Sequence, residues 1–207
     1  MRKIAGSSIN FVDYSFNLWY KLCVNNYYFG EIMRIFVCGG VDADMKKEYL
    51  VGIKELAKNL VKDGHSMICV GAKTGAIGEM YNTFMKLGGA VDLIVPECYA
   101  SDAENMTGRS TINVPNLYVL QQIGLKNSDA TIILPGGNGT LAEMYMCSDN
   151  HKAGFDQDPI LVFNVNGYYD LVEQMHNFML EAGTMQPFQK KYLTFCDSYK
   201  DILKNLK

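Results

Sequence analysis

The apolar stretch Ala130-Thr131-Ile132-Ile133 runs into Leu134-Pro135-Gly136-Gly137-Asn138-Gly139-Thr140-Leu141-Ala142-Glu143, and the chain then continues in a helix-compatible segment. Strand, glycine turn and helix start in direct succession leave few folds open, because they form one corner of an α/β unit. Glycines let a backbone approach an anion closely, and the free N–H groups and dipole of a helix start favour negative charge. Gly136, Gly137, Gly139 and Thr140 are therefore candidate phosphate ligands, with Thr140 adding a hydroxyl. Glu143, one turn further on, brings a carboxylate near whatever carries the phosphate. Phosphate and carboxylate together suggest a sugar phosphate. A second reading stands beside this one: Thr140-x-x-Glu143 also spells a capping box, in which both side chains serve the helix backbone alone.

The rest of the chain fits the same architecture. From Met33 onward, apolar runs alternate with amphipathic stretches. Strands are predicted at Ile35–Cys38, Ser66–Val70, Val91–Val95, Ala130–Leu134 and Ile160–Phe163. A helix is predicted over Lys46–Val61, where Tyr49, Leu50, Ile53, Leu56, Ala57 and Leu60 recur at helical spacing, and another after Gly78, ending at Gly88-Gly89. The fold class is α/β, a Rossmann-like, doubly wound and mainly parallel sheet flanked by helices. In such sheets ligands sit beyond the carboxyl ends of the strands. Gly39-Gly40, the loop Gly71 to Gly78 and the turn after Leu134 should converge there. Gly71-x3-Gly75-x2-Gly78 misses the dinucleotide spacing, and no acidic residue ends the second strand to hold a ribose, so hydride transfer with NAD is disfavoured.

Pro-Gly-Gly-x-Gly-Thr-x-x-Glu at Pro135–Glu143 resembles the signature of the Lonely Guy nucleoside 5′-monophosphate phosphoribohydrolases, often labelled lysine decarboxylases. The likeness starts at Met33-Arg34-Ile35-Phe36-Val37-Cys38-Gly39-Gly40 and runs through Asn164-Val165-Asn166-Gly167-Tyr168-Tyr169 to the Asp201-Ile202-Leu203 helix, about 175 residues. It implies hydrolysis of a base from ribose 5′-phosphate without metal or organic cofactor, with Glu143 catalytic and a nucleoside monophosphate or related sugar phosphate as partner. It also implies a homodimer. Gly39, Gly40, Arg109 and Gln121 are candidates to meet ribose or base. One departure matters. The family's Arg-Lys pair, counted back fifteen residues from Pro135 without a gap, falls on Leu120-Gln121. Gln121 and Gln122 either hydrogen-bond the substrate or form the polar face of a helix, and Arg109 is placed to swing in from the loop after the third strand. Restoring the cation by Leu120→Arg is expected to raise hydrolysis. The alternative to an enzyme is a nucleotide-binding or sugar-phosphate-binding protein with little or no turnover.

Composition narrows the field further. A net charge of −3 without a basic run argues against nucleic acid or an anionic membrane as partner. Six cysteines without a Cys-x-x-Cys pair, mostly inside apolar runs, suggest reduced core thiols in a cytoplasmic protein and no zinc site. Residues 1–32 are aromatic-rich and interrupted by Asp13, Asn17 and Lys21, which fits neither a secretory signal nor a spanning helix. They form either an extra helix on the body, residues 33–207, or a translated leader upstream of Met33. His65, His151 and His176 read as surface or capping residues, Lys73 as a solvated loop lysine, and Asp42 and Asp44 as caps for the first helix or ligands of a ribose or base. Met80, Met85, Met144 and Met146 read as core or subunit contacts.

Overall fold

Buried on both faces, the apolar runs of the sequence become parallel strands. A computed structural model describes residues 32–155 and 158–206; the aromatic-rich segment, apart from Ile32, lies outside the described residues. The strands are β1 (Arg34–Cys38), β2 (Ser66–Val70), β3 (Val91–Pro96), β4 (Ser110–Val114), β5 (Ala130–Ile133), β6 (Ile160–Phe163) and β7 (Thr194–Cys196). All pair in parallel in the order β4-β3-β2-β1-β5-β6-β7. The helices are α1 (Lys47–Lys62), α2 (Gly75–Lys86), α3 (Leu117–Lys126), α4 (Asn138–Lys152), α5 (Asp170–Glu181) and α6 (Tyr199–Asn205). The doubly wound reading is correct. β4 and β7 are additions to the five predicted strands.

The strand residues alternate between two apolar cores. Ile35 and Val37 of β1 face Ile53, Leu56 and Leu60 of α1, Met80 and Phe84 of α2, and Ile202 of α6. Phe36 and Cys38 face Leu120 and Leu125 of α3 and Met144 and Cys147 of α4. The chain steps outward from β1 through β4, then returns to place β5 on the other side of β1. The crevice between β1 and β5 is the topological switch point, where doubly wound sheets open to ligands.

Three local expectations change. α2 begins at Gly75, not after Gly78; Gly75 has φ +68°, and a Cβ there would stand 2.5 Å from the Gly40 carbonyl oxygen, so only glycine can start this helix against the first loop. Asp42 and Asp44 do not cap α1, whose N-cap is Lys46 without a side-chain hydrogen bond. His65 and His176 are buried: His65 Nδ1 accepts from the Met33 amide at 3.0 Å, and His176 Nε2 lies 3.1 Å from the Tyr145 hydroxyl. Of the cysteines described, Cys38, Cys69, Cys147 and Cys196 are buried, while Cys98 is exposed. Met80 and Met144 are core residues and Met85 is exposed.

Candidate active site at the β1/β5 crevice

β5 ends at Ile133, and Leu134-Pro135-Gly136-Gly137 carries the chain into α4. Gly137 is the N-cap and offers no side chain, so the first-turn amides of α4 have no side-chain acceptor at the cap. Thr140 lies inside the helix. The capping-box reading of Thr140 and Glu143 therefore fails, and Glu143 is released for another task. A Cβ at Gly137 or Gly139 would meet nothing within 4 Å, and both glycines are exposed with Asn138 between them. Gly136 is different. A Cβ there would stand 2.2 Å from Thr140 Oγ1 and 2.5 Å from the Gly40 nitrogen, so the turn is wedged between its own helix and the first loop. Thr140 itself is buried.

The three glycine loops do converge. The Gly40 amide donates to the Pro135 carbonyl at 2.9 Å, the Ile77 amide to the Gly40 carbonyl at 3.2 Å, and the Thr74 hydroxyl to the Val41 carbonyl at 2.5 Å. Gly39 packs on Leu134, and Gly40 on Gly136. Lys73 is exposed at the rim.

Glu143 projects from the second turn of α4 toward Cys38, the last residue of β1. Burial raises its carboxyl from an ordinary 4.5 to about 7, and a hydrogen bond from the Cys38 thiol partly opposes this. The Cys38 thiol is pushed well up, first by burial, then by its hydrogen bond to Cys147 and the charge of Glu143. Gln121 Nε2 donates to the Glu143 carbonyl at 2.8 Å and to Cys147 Sγ at 3.3 Å. The glutamine thus braces the helix turn that carries the carboxylate. Composition gave no hint of this role; the spacing from Pro135 found the residue, but only packing shows what it touches.

Two expectations from the missing arginine do not survive. Leu120 is 1% exposed in the core with Phe36, Ile68 and Ile94, so it faces the sheet and not the crevice. Arg109 lies just before β4, beside the amino end of β3, where its Nε donates to Asp92 Oδ1 at 3.1 Å and its Nη2 to Asp92 Oδ2. The same carboxylate accepts from Arg34 at 2.8 Å and from Ser110 at 2.6 Å. These bonds hold the Asp92 carboxyl below its usual range despite its burial. Arg109 ties the start of β4 to β3, as Arg34 ties β1 to β3, at the end of the sheet opposite the glycine loops, and the structure does not bring it to the candidate site.

Replacing Gly137 tests the cradle cleanly. Its φ of −84° suits any residue and its Cβ would point into open space, so Gly137→Ala is expected to leave the melting temperature within about 1 °C while weakening phosphate-ligand binding. Calorimetry on both proteins with ribose 5-phosphate checks this. Unchanged affinity would mean the ligand does not approach this amide.

The family profile described as possible lysine decarboxylase matches residues 75–206. A cytokinin riboside 5′-monophosphate phosphoribohydrolase of Arabidopsis thaliana is 27% identical over 179 residues, covering 85% of this chain and 83% of the relative. The enzyme of that name from Mycobacterium tuberculosis is 24% identical over 151 residues, covering 72% and 81%. Among solved structures, a molybdenum cofactor binding protein from Rippkaea orientalis superposes with a TM-score of 0.64 at 17% identity, covering 84% of this chain and 94% of that one; at this identity the likeness speaks for the fold alone. With nearly two thirds of its length matched by the profile, the chain belongs to the possible lysine decarboxylase family, the Lonely Guy family.

Proposed function

We propose that this protein is a cytoplasmic hydrolase that cleaves the N-glycosidic bond of a nucleoside 5′-monophosphate, giving free base and ribose 5-phosphate. One observation carries the reading. A partly buried carboxyl poised at about 7 stands one turn beyond an uncapped, glycine-walled helix start, at the switch point of the sheet. The open amides around Gly137, Asn138 and Gly139 hold the 5′-phosphate, with Gly136 and Thr140 shaping the turn beneath them. This remote binding energy positions the ribose against Glu143. As the bond from C1′ to the base nitrogen breaks, its electron pair leaves with the base and positive charge builds on the ribose ring. The Glu143 carboxylate stabilises that charge and takes a proton from the water whose oxygen bonds to C1′. A proton then passes to the departed base nitrogen. The step requires no metal or organic cofactor. The resemblance adds a homodimer, which light scattering would report as twice the chain mass of 23.2 kDa.

The test is direct. The purified protein is expected to release free base from at least one member of a panel of purine and pyrimidine nucleoside monophosphates, read by chromatography. The neutral, buried Leu120 and the engagement of Arg109 with Asp92 favour one other reading, a binding protein without turnover. Tight binding with no base release from any member would establish that reading instead.

A further inference from the structure

The turn that builds the cradle exposes three successive carbonyls, on Leu134, Pro135 and Gly136, and each is taken up by a donor from another part of the chain. Tyr169 Oη donates to the Leu134 carbonyl at 2.7 Å, the Gly40 amide to that of Pro135 at 2.9 Å, and Tyr168 Oη to that of Gly136 at 3.0 Å. An anion is repelled by a carbonyl oxygen as firmly as it is attracted by an amide. A glycine pair such as Gly136-Gly137 is the easiest place for a peptide plane to turn over and present the wrong dipole.

The tyrosines are held by their own scaffold. The turn after β6 reverses through Asn166 and Gly167, at φ 54° and 70°. Asn164 Oδ1 accepts from the Tyr169 amide at 2.6 Å, while its Nδ2 donates to Asp170 and Asp197 at 2.9 Å each. The Tyr168 ring packs edge-on against Tyr49 and Tyr169, with centroids 5.1 and 5.0 Å away. Tyr169 is 1% exposed, whereas Tyr168 is only partly buried at the margin of the cradle. Burial keeps both hydroxyls protonated and therefore able to donate.

We propose that Tyr168 and Tyr169 are positioning residues that lock the cradle into an all-donor surface, and that Tyr168 in particular sets affinity for the phosphate without touching the bond that breaks. The proposal rests on the phosphate-cradle reading above. Its test separates the two. Tyr168→Phe removes only the hydroxyl and frees the Gly136 carbonyl to turn. It is expected to raise the Kd for ribose 5-phosphate, measured by calorimetry, by about three- to tenfold, the worth of one net hydrogen bond. It should raise KM for the nucleoside monophosphate to the same extent and leave kcat within about twofold. Binding of the corresponding nucleoside, which lacks the phosphate, should not change. A merely structural role would instead weaken nucleoside binding and lower kcat along with the phosphate affinity.

Tyr169→Phe strands a buried carbonyl and is expected to lower the melting temperature as well; Tyr168→Phe is the arm free of that effect. Because the calorimetric arm needs no turnover, it remains decisive if the wild-type protein releases no base. Ribose 5-phosphate affinity equal to that of the wild type in Tyr168→Phe would overturn the proposal while leaving the cradle intact. No binding of ribose 5-phosphate by the wild-type protein would overturn both.

Discussion

Glu143→Gln abolishes base release, by at least about a hundredfold in kcat/KM, and leaves ribose 5-phosphate affinity within about twofold of the wild type. That is the expected result, since the change swaps a charge for a near-isostere at the ribose and leaves the glycine turn alone. The same carboxyl fixes the pH dependence. Its proton comes off near pH 7, so kcat/KM of the wild-type protein should rise with pH through that value and reach a plateau above it. A flat profile between pH 5.5 and 8.5 would remove Glu143 from the chemistry.

Stability should move the other way. The folded-state value of about 7 lies above the ordinary 4.5, so the folded protein holds this proton more tightly than the unfolded chain. The stabilisation this proton provides is complete below pH 4.5 and is lost as pH rises through 7. At pH 8 the ionised, partly buried group costs at most about 3 to 4 kcal/mol, each factor of ten in proton affinity being worth about 1.4 kcal/mol. The glutamine variant is therefore expected to melt higher than the wild type at pH 8 and no higher at pH 4. Loss of activity together with gained stability is what a site under strain predicts. A glutamine variant less stable at pH 8 would make Glu143 a structural residue.

Leu120→Arg is expected to unfold the protein or cost it more than about 4 kcal/mol, the opposite of what counting along the chain implies. The side chain it replaces is 1% exposed among Phe36, Ile68, Ile94 and Val114, and the arginine would enter that apolar core without a partner. Urea midpoints and soluble yield decide the matter. A variant that folds with wild-type stability would show that α3 can rotate its first turn toward the crevice, and the cation-restoring argument would revive.

The error behind that argument is informative. Fifteen residues back from Pro135 does reach the right helix, and the neighbouring Gln121 does touch the backbone of Glu143. Sequence spacing gives the element. It does not give the face, because the 3.6-residue repeat turns neighbouring side chains about 100° apart and packing alone selects which one points inward. The central strands were legible for the reason the edge strands were not. β1, β2, β3, β5 and β6 are buried on both faces and read as mainly apolar runs, with single polar residues such as Asp92 and Thr131 among them. β4 is Ser-Thr-Ile-Asn-Val at the rim with only Val114 buried, and β7 has three residues, so neither carries a pattern long enough to distinguish it from a loop. The glycine cradle was legible because its chemistry is local. The fate of Arg109 was not, since its partner Asp92 stands 17 residues away on another strand.

The two walls of the crevice are also far apart in time. β1 pairs with β5 from Ile35 opposite Ala130, and the Arg34 amide reaches Asp129 across 95 residues of chain. At ordinary translation rates β5 leaves the ribosome roughly 5 to 20 s after β1. Throughout that interval β1 through β4 can assemble with one side of β1 unpaired, presenting an apolar parallel edge of the kind that invites association with other chains. The amide of Gly40 meanwhile has no Pro135 to receive it. The strand that covers this edge of β1 is thus the one that brings the cradle, so a nascent chain gains its capacity for anions as the open edge passes outward to β5, there to wait for β6 and β7.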